Sequence, residues 1–175
     1  MIRIAQVDRP DRDEARQLLA VLHDRYPGGL DWLERRLDDV DAGRAWAWRA
    51  GNGGAALGYA IATPKGLRRE KLSTLYVAAH ARGQGIGRSL LAALFEDWRR
   101  RELDEVFVTV DEADSATKAF LVSHGFSHLP HAGRAYGERS DAIYVLSPRK
   151  APYWPSRPSS GASQLNSAFI TCSTS

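Results

Sequence analysis

The residues best suited to chemistry are Arg82-Gly83-Gln84-Gly85-Ile86-Gly87-Arg88, a basic glycine-rich turn that follows the apolar run Leu75, Tyr76, Val77. Glycines at the mouth of a helix let the backbone approach a ligand closely. The first-turn N–H groups, which have no acceptor inside the helix, can then point at anionic oxygens. The turn is not a P-loop, because no Lys-Ser or Lys-Thr follows its glycines. Nor is it the dinucleotide fingerprint GxGxxG, because Gly83, Gly85 and Gly87 are spaced GxGxG. The pattern it does carry is R-x-x-G-x-G, at Arg82, Gly85 and Gly87. Strand, glycine cradle and helix together read as a phosphate-binding unit.

The elements that must position this turn follow from periodicity. Behind it, Ile86, Leu90, Leu91, Leu94, Phe95 and Trp98 recur at helical spacing and make one buried stripe. Before it, Ile2–Val7 reads as a first strand, and Asp11 or Asp13 caps a helix over Glu14–Asp24. Pro27-Gly28-Gly29 breaks that helix, and a second follows near Asp31–Asp39. Ala45–Arg49 alternates, with Trp46 and Trp48 on one face as sheet packing. Gly51-Asn52-Gly53-Gly54 turns the chain into the return strand Ala55–Ala62, and Leu72–Val77 leads to the cradle. After the central helix come a strand at Glu105–Val110, a helix capped by Asp114 or Ser115 and ending at Gly125, and closing strands at Phe126–Leu129 and Ala142–Leu146.

At 175 residues the chain is long enough for one well-buried domain and too short for two. The net charge of +3 comes from Arg149, Lys150 and Arg157, so residues 1–147 balance basic against acidic side chains. That argues against a nucleic-acid partner, which needs cations gathered on a folded face. The single cysteine, Cys172, excludes an internal disulfide and gives no metal-ligand spacing. No apolar run reaches membrane-spanning length, and the polar start has no signal-peptide core, so the expected location is cytoplasmic. The domain is placed at residues 1–147. Residues 148–175 form a Pro- and Ser-rich tail, expected to be disordered or draped on the body.

The cradle, the preceding Leu-Tyr-Val strand and the Leu-Leu-rich helix together resemble the acetyl-CoA pyrophosphate loop of the GNAT N-acetyltransferase family. The stretch Asp114–Phe126, DSATKAFLVSHGF, resembles the family's segment after the fifth strand through Phe120 and Gly125-Phe126. The resemblance covers residues 1–147 and implies an α/β (α+β) fold, a mixed central sheet of about six to seven strands flanked by about four helices. It implies acetyl-CoA as co-substrate, with no metal, and a primary amine as acceptor. The cofactor contacts it implies are Leu75, Tyr76, Val77, Arg82, Gly83, Gln84, Gly85, Ile86, Gly87, Arg88 and Asp114. The backbone N–H of Val77 is the group it places against the reacting carbonyl. It also allows a homodimer paired through the last strands.

The sequence departs from the family at the proton carriers. The frequent acid position holds Leu121, and two frequent base positions hold Lys71 and Thr109. Substitutes are His124, which shares a helix face with Leu121 and has a suitable pKa, and Tyr136 in the loop before the last strand. Glu70 and Ser73 are further candidates; simple alternation puts Ser73 on the face of Leu75 and Val77, and Glu70 on the other. Absence of the usual carriers keeps open a non-catalytic acyl-CoA sensor on the same fold. An RNA-associated acetyltransferase, using the basic edge Lys65, Arg68, Arg69 and Lys71, is a weaker alternative.

Overall fold

The computed structural model describes residues 1–26, 28–130, 141–151 and 169–171. In chain order the strands are β1 (Arg3–Val7), β2 (Trp46–Gly51), β3 (Ala56–Pro64), β4 (Arg69–Val77), β5 (Glu105–Asp111), β6 (Ser127–His128), β7 (Asp141–Leu146) and β8 (Phe169–Thr171). The helices among the described residues are α1 (Arg12–Leu18), α2 (Val21–Arg25), α3 (Gly29–Asp41), α4 (Ile86–Arg100) and α5 (Ser115–Ser123), with a 3₁₀ turn at Ala79–Ala81. The sheet runs β1-β2-β3-β4-β5-β7-β6, and β8 pairs with β4 off this path. Among the described residues, only β4 and β5 pair in parallel. This is the mixed sheet with flanking helices that the sequence led us to expect; the described residues add one helix, and β8 as a strand beyond the seven on the path.

That extra helix arises within residues 14–24. Asp11 caps α1, accepting from the Glu14 N–H at 3.0 Å. At Leu22 and His23 the backbone bonds tighten to Leu19 and Ala20, three residues back, and the expected single helix divides there. Asp114 caps α5, and Gly125, in the left-handed region at φ 88°, follows its end as foreseen.

The sheet is covered on both faces. On one, the stripe of α4 (Ile86, Leu90, Leu91, Leu94, Phe95 and Trp98) is buried against Trp48, Ala60, Ala62, Leu72, Leu75 and Val77. On the other, α1 and α3 close over Ala47, Tyr59, Ile61 and Tyr76. Trp46 and Trp48 are therefore packing residues, and the Arg101 guanidinium lies 4.2 Å over the Trp46 ring.

β4 starts three residues before its apolar run because Arg69, Glu70 and Lys71 pair with Glu105, Val106 and Phe107 of β5. Glu70 is almost fully buried there. It accepts from Trp98 Nε1 at 2.6 Å and ion-pairs with Arg101 at 2.8 Å, joining the start of β4 to the last turn of α4. Burial raises the Glu70 pKa, against the pull of Arg101.

A bulge overturns the simple alternation expected along β4. Ile61 pairs with Thr74 and Ala62 with Leu72, so Ser73 is the unpaired extra residue. Glu70 consequently shares the α4 face with Leu72, Leu75 and Val77. Ser73 bonds across to Thr63 at 2.9 Å on the α1–α3 face. The two assignments made by counting twos are reversed.

Candidate functional site

The parallel pairing of β4 with β5 stops at Lys71 and Phe107. Beyond that point β5 keeps its partner β7 through Asp111, and β4 keeps β3 through Val77. The two strands diverge into a wedge that opens toward the glycine turn. One bond fixes which backbone groups of β4 face the wedge. Ala78 N–H donates to Leu57 O at 2.8 Å, and antiparallel pairs alternate between bonded and non-bonded. Tyr76 and Thr74 therefore bond to β3, while Leu75 and Val77 turn their N–H and C=O groups into the wedge. Arg82 Nε donates to Val77 O at 3.1 Å, consistent with that direction.

The glycine turn lies at the open end. Gly83 and Gly85 adopt φ 75° and 79°, conformations that L side chains rarely take, and a Cβ at either would meet nothing within 4 Å. Gly85 is the N-cap of α4 and offers its first turn no side chain. The N–H groups of Ile86 and Gly87 belong to the first turn, which has no acceptor inside the helix, at the positive end of a fifteen-residue helix. Ile86 is itself buried, anchoring the turn, whereas Gly83, Gln84 and Gly85 are exposed. Gly87 differs in kind: its Cβ would stand 3.7 Å from Val77 and 3.9 Å from Phe120, in ordinary contact. The turn, the end of β4 and α5 meet at that point. Exposed N–H donors beside an extended, outward-facing strand edge suit a ligand with anionic oxygens at one end and an amide-bearing chain along the other.

The remaining candidates divide by what already engages them. Asp114 caps α5, accepting from Thr117 N at 3.0 Å and Thr117 Oγ1 at 2.7 Å, so its carboxylate is committed to the helix that presents Phe120. His124 follows the last turn of α5. Its Nδ1 lies 2.7 Å from Phe120 O and 3.1 Å from Ser123 Oγ, and its ring sits 4.3 Å from that of Phe120. Burial lowers its pKa, and Arg88 lowers it further. With Nδ1 on a carbonyl, proton exchange belongs to Nε2. Leu121 and Thr109 are buried in the core, and Lys71 is buried with its ammonium 5.7 Å from the Phe107 ring. Tyr136 lies outside the described residues, as does most of the tail.

Two features escaped sequence reasoning. The Ser73 bulge depends on pairing with β3 and leaves no local mark. The strand β8 has a faint one, the run Phe169-Ile170-Thr171 of β-forming residues within a Ser-rich tail.

The model of the acetyltransferase (GNAT) family matches residues 11–126. No curated protein matches the sequence at a significant level. Among solved structures, a GNAT-family protein from Desulfovibrio desulfuricans superposes with a TM-score of 0.74 at 22% identity, over 85% of this chain and 99% of the other. The ribosomal-protein-S18-alanine N-acetyltransferase of Escherichia coli gives 0.71 at 20% identity, over 87% and 97%. A GNAT acetyltransferase from Elizabethkingia anophelis with acetyl-CoA bound gives 0.65 at 13% identity, over 83% and 97%. At these identities the structures establish a shared fold.

Proposed function

Since the chain belongs to the GNAT acetyltransferase family, we propose that it is an N-acetyltransferase that moves an acetyl group from acetyl-CoA to the primary amine of an acceptor. The observation that carries this reading is the wedge between β4 and β5 opening onto the uncapped N-terminus of α4. A phosphate-ended, amide-bearing arm matches both halves of that surface.

In this reading the N–H groups of Ile86 and Gly87 receive the pyrophosphate, and Gly83 and Gly85 give it backbone clearance. Gln84 and Arg88 add side-chain contacts, and Arg82 braces the end of β4 through Val77 O. Leu75 and Val77 pair with the arm through their outward peptide groups, with Tyr76 between them bonded to β3. Asp114 contributes by holding α5, and with it Phe120, against the turn. Bound acetyl-CoA supplies a thioester whose acyl carbon is open to attack by an amine. The Val77 N–H donates to the acyl oxygen, where negative charge develops, and as a fixed main-chain donor it needs no reorganisation. His124 Nε2 and the Tyr136 hydroxyl are the proton carriers in this account, taking the place of Leu121, Thr109 and Lys71.

A sensor reading keeps one specific support: the three positions where the family carries its usual acids and bases hold buried Leu121, Thr109 and Lys71. Free-thiol release from acetyl-CoA against a panel of amines, run beside a direct acetyl-CoA titration, separates the two. Binding with amine-dependent thiol release supports the transferase. Binding with no release on a broad panel replaces it by the sensor, and no binding rejects both.

A further inference from the structure

The edge of β4 that faces the wedge is already paired. Phe169–Thr171 runs antiparallel to it, placing Phe169 opposite Tyr76, Ile170 opposite Leu75 and Thr171 opposite Thr74. The same alternation that turns Leu75 into the wedge makes Leu75 and Ile170 the hydrogen-bonded pair, exchanging both N–H···O bonds. β8 also lies against β5, so it occupies the wedge between the two strands. It enters from the glycine-turn end and runs toward the apex at Lys71 and Phe107.

We propose that the C-terminal strand Phe169–Thr171 is an internal competitor for the acyl-CoA arm, docking on the same peptide groups of β4 and yielding to the cofactor when it binds. The inference rests on the acetyl-CoA reading above. One strand edge carries one set of donors and acceptors, and Leu75 cannot serve both partners at once. The occupant is built to be displaced. It is three residues long and centred on one bonded pair, Leu75 with Ile170. Being part of the same chain, it acts at an effective concentration that does not depend on protein concentration. Affinity for the cofactor is then reduced by the fraction of molecules whose wedge is closed. An unpaired β4 edge, open to strand addition by other chains, is also protected while no cofactor is present.

The test uses the full chain, Ile170→Pro, which removes the N–H donor of the central pair, and Ile170→Val, which keeps it. Acetyl-CoA titration should give an affinity about tenfold tighter for Ile170→Pro than for wild type, with Ile170→Val unchanged. Hydrogen exchange read at residues 169–171 should show protection in ligand-free wild type, lost on saturation with acetyl-CoA and absent from Ile170→Pro. Equal affinities, with β8 still protected in the saturated wild type, would overturn the competition and leave the cofactor reading standing. No acetyl-CoA binding by any of the three proteins would reject the cofactor reading and the competition with it.

Discussion

Gly85 allows folding and ligand binding to be separated within one residue. Its φ of 79° is left-handed, and a Cβ there would meet nothing within 4 Å. Replacement by Ala therefore adds no clash, only the backbone penalty of about 1–2 kcal/mol, partly offset by the stiffer unfolded chain. A net loss near 1 kcal/mol corresponds to a Tm drop of about 2–4 °C for a chain of this size. Asn tolerates the left-handed region better, so Gly85→Asn should cost less stability than Gly85→Ala. The ligand should rank them the other way. If the pyrophosphate sits on the first-turn N–H groups, a side chain at Gly85, the N-cap, intrudes on its approach. Loss of one charge-assisted bond, at about 1.5–3 kcal/mol, weakens acetyl-CoA binding by about tenfold or more in Gly85→Ala. The longer Asn displaces two such contacts and should lose about a hundredfold. Thermal melts paired with acetyl-CoA calorimetry read both scales. Unchanged affinity in both variants, or affinity that follows stability, would refute the cradle.

Three further outcomes follow from contacts away from the cradle. Glu14 accepts from Arg49 at 2.6 and 2.7 Å and from Ala56 N at 2.8 Å, and the guanidinium holds its carboxyl below the ordinary value of 4.5. Its contribution is therefore complete above that value and is lost as pH falls through the lower folded one. Glu14→Gln should cost about 1–2 kcal/mol at pH 7, and denaturant melts of variant and wild type should converge as pH falls through the lowered Glu14 value. Trp98→Phe removes the donor to buried Glu70 and should cost about 2–4 kcal/mol in urea unfolding; a cost under about 1 kcal/mol would mean that Arg101 alone satisfies the carboxylate. His124→Ala should lower turnover and remove from the pH–rate profile an ionisation lying below the ordinary histidine value of 6.5, because burial disfavours the imidazolium. An unaltered profile would leave His124 as a helix cap only.

What could be read from the sequence was local. The stripe from Ile86 to Trp98 repeats with the period of a helix, and Gly83 and Gly85 before it take left-handed backbone, so α4 and the turn that leads into it are legible locally. Asp114 and Gly125 mark the ends of α5 by capping chemistry confined to a few residues. The facing of β4 was not local. Ser73 becomes a bulge only through its register with β3, and one extra residue moved Glu70 and Ser73 to opposite faces from those expected. Residues 169–171 are subject to the same limit. A three-residue strand has no period of its own, and its existence depends on a β4 edge left open by the divergence of β5. His124 shows a third kind of shortfall: spacing placed it beside Leu121, but not the turn of Nδ1 onto the Phe120 carbonyl.

The most direct test of the central claim is a backbone amide NMR titration of the full chain with acetyl-CoA. The account predicts saturable shifts at Gly83, Gly85, Ile86 and Gly87, where the anionic end binds, and at Leu75 and Val77, whose N–H groups face the wedge. Absence of binding, or shifts confined to surfaces remote from both β4 and the start of α4, would contradict it.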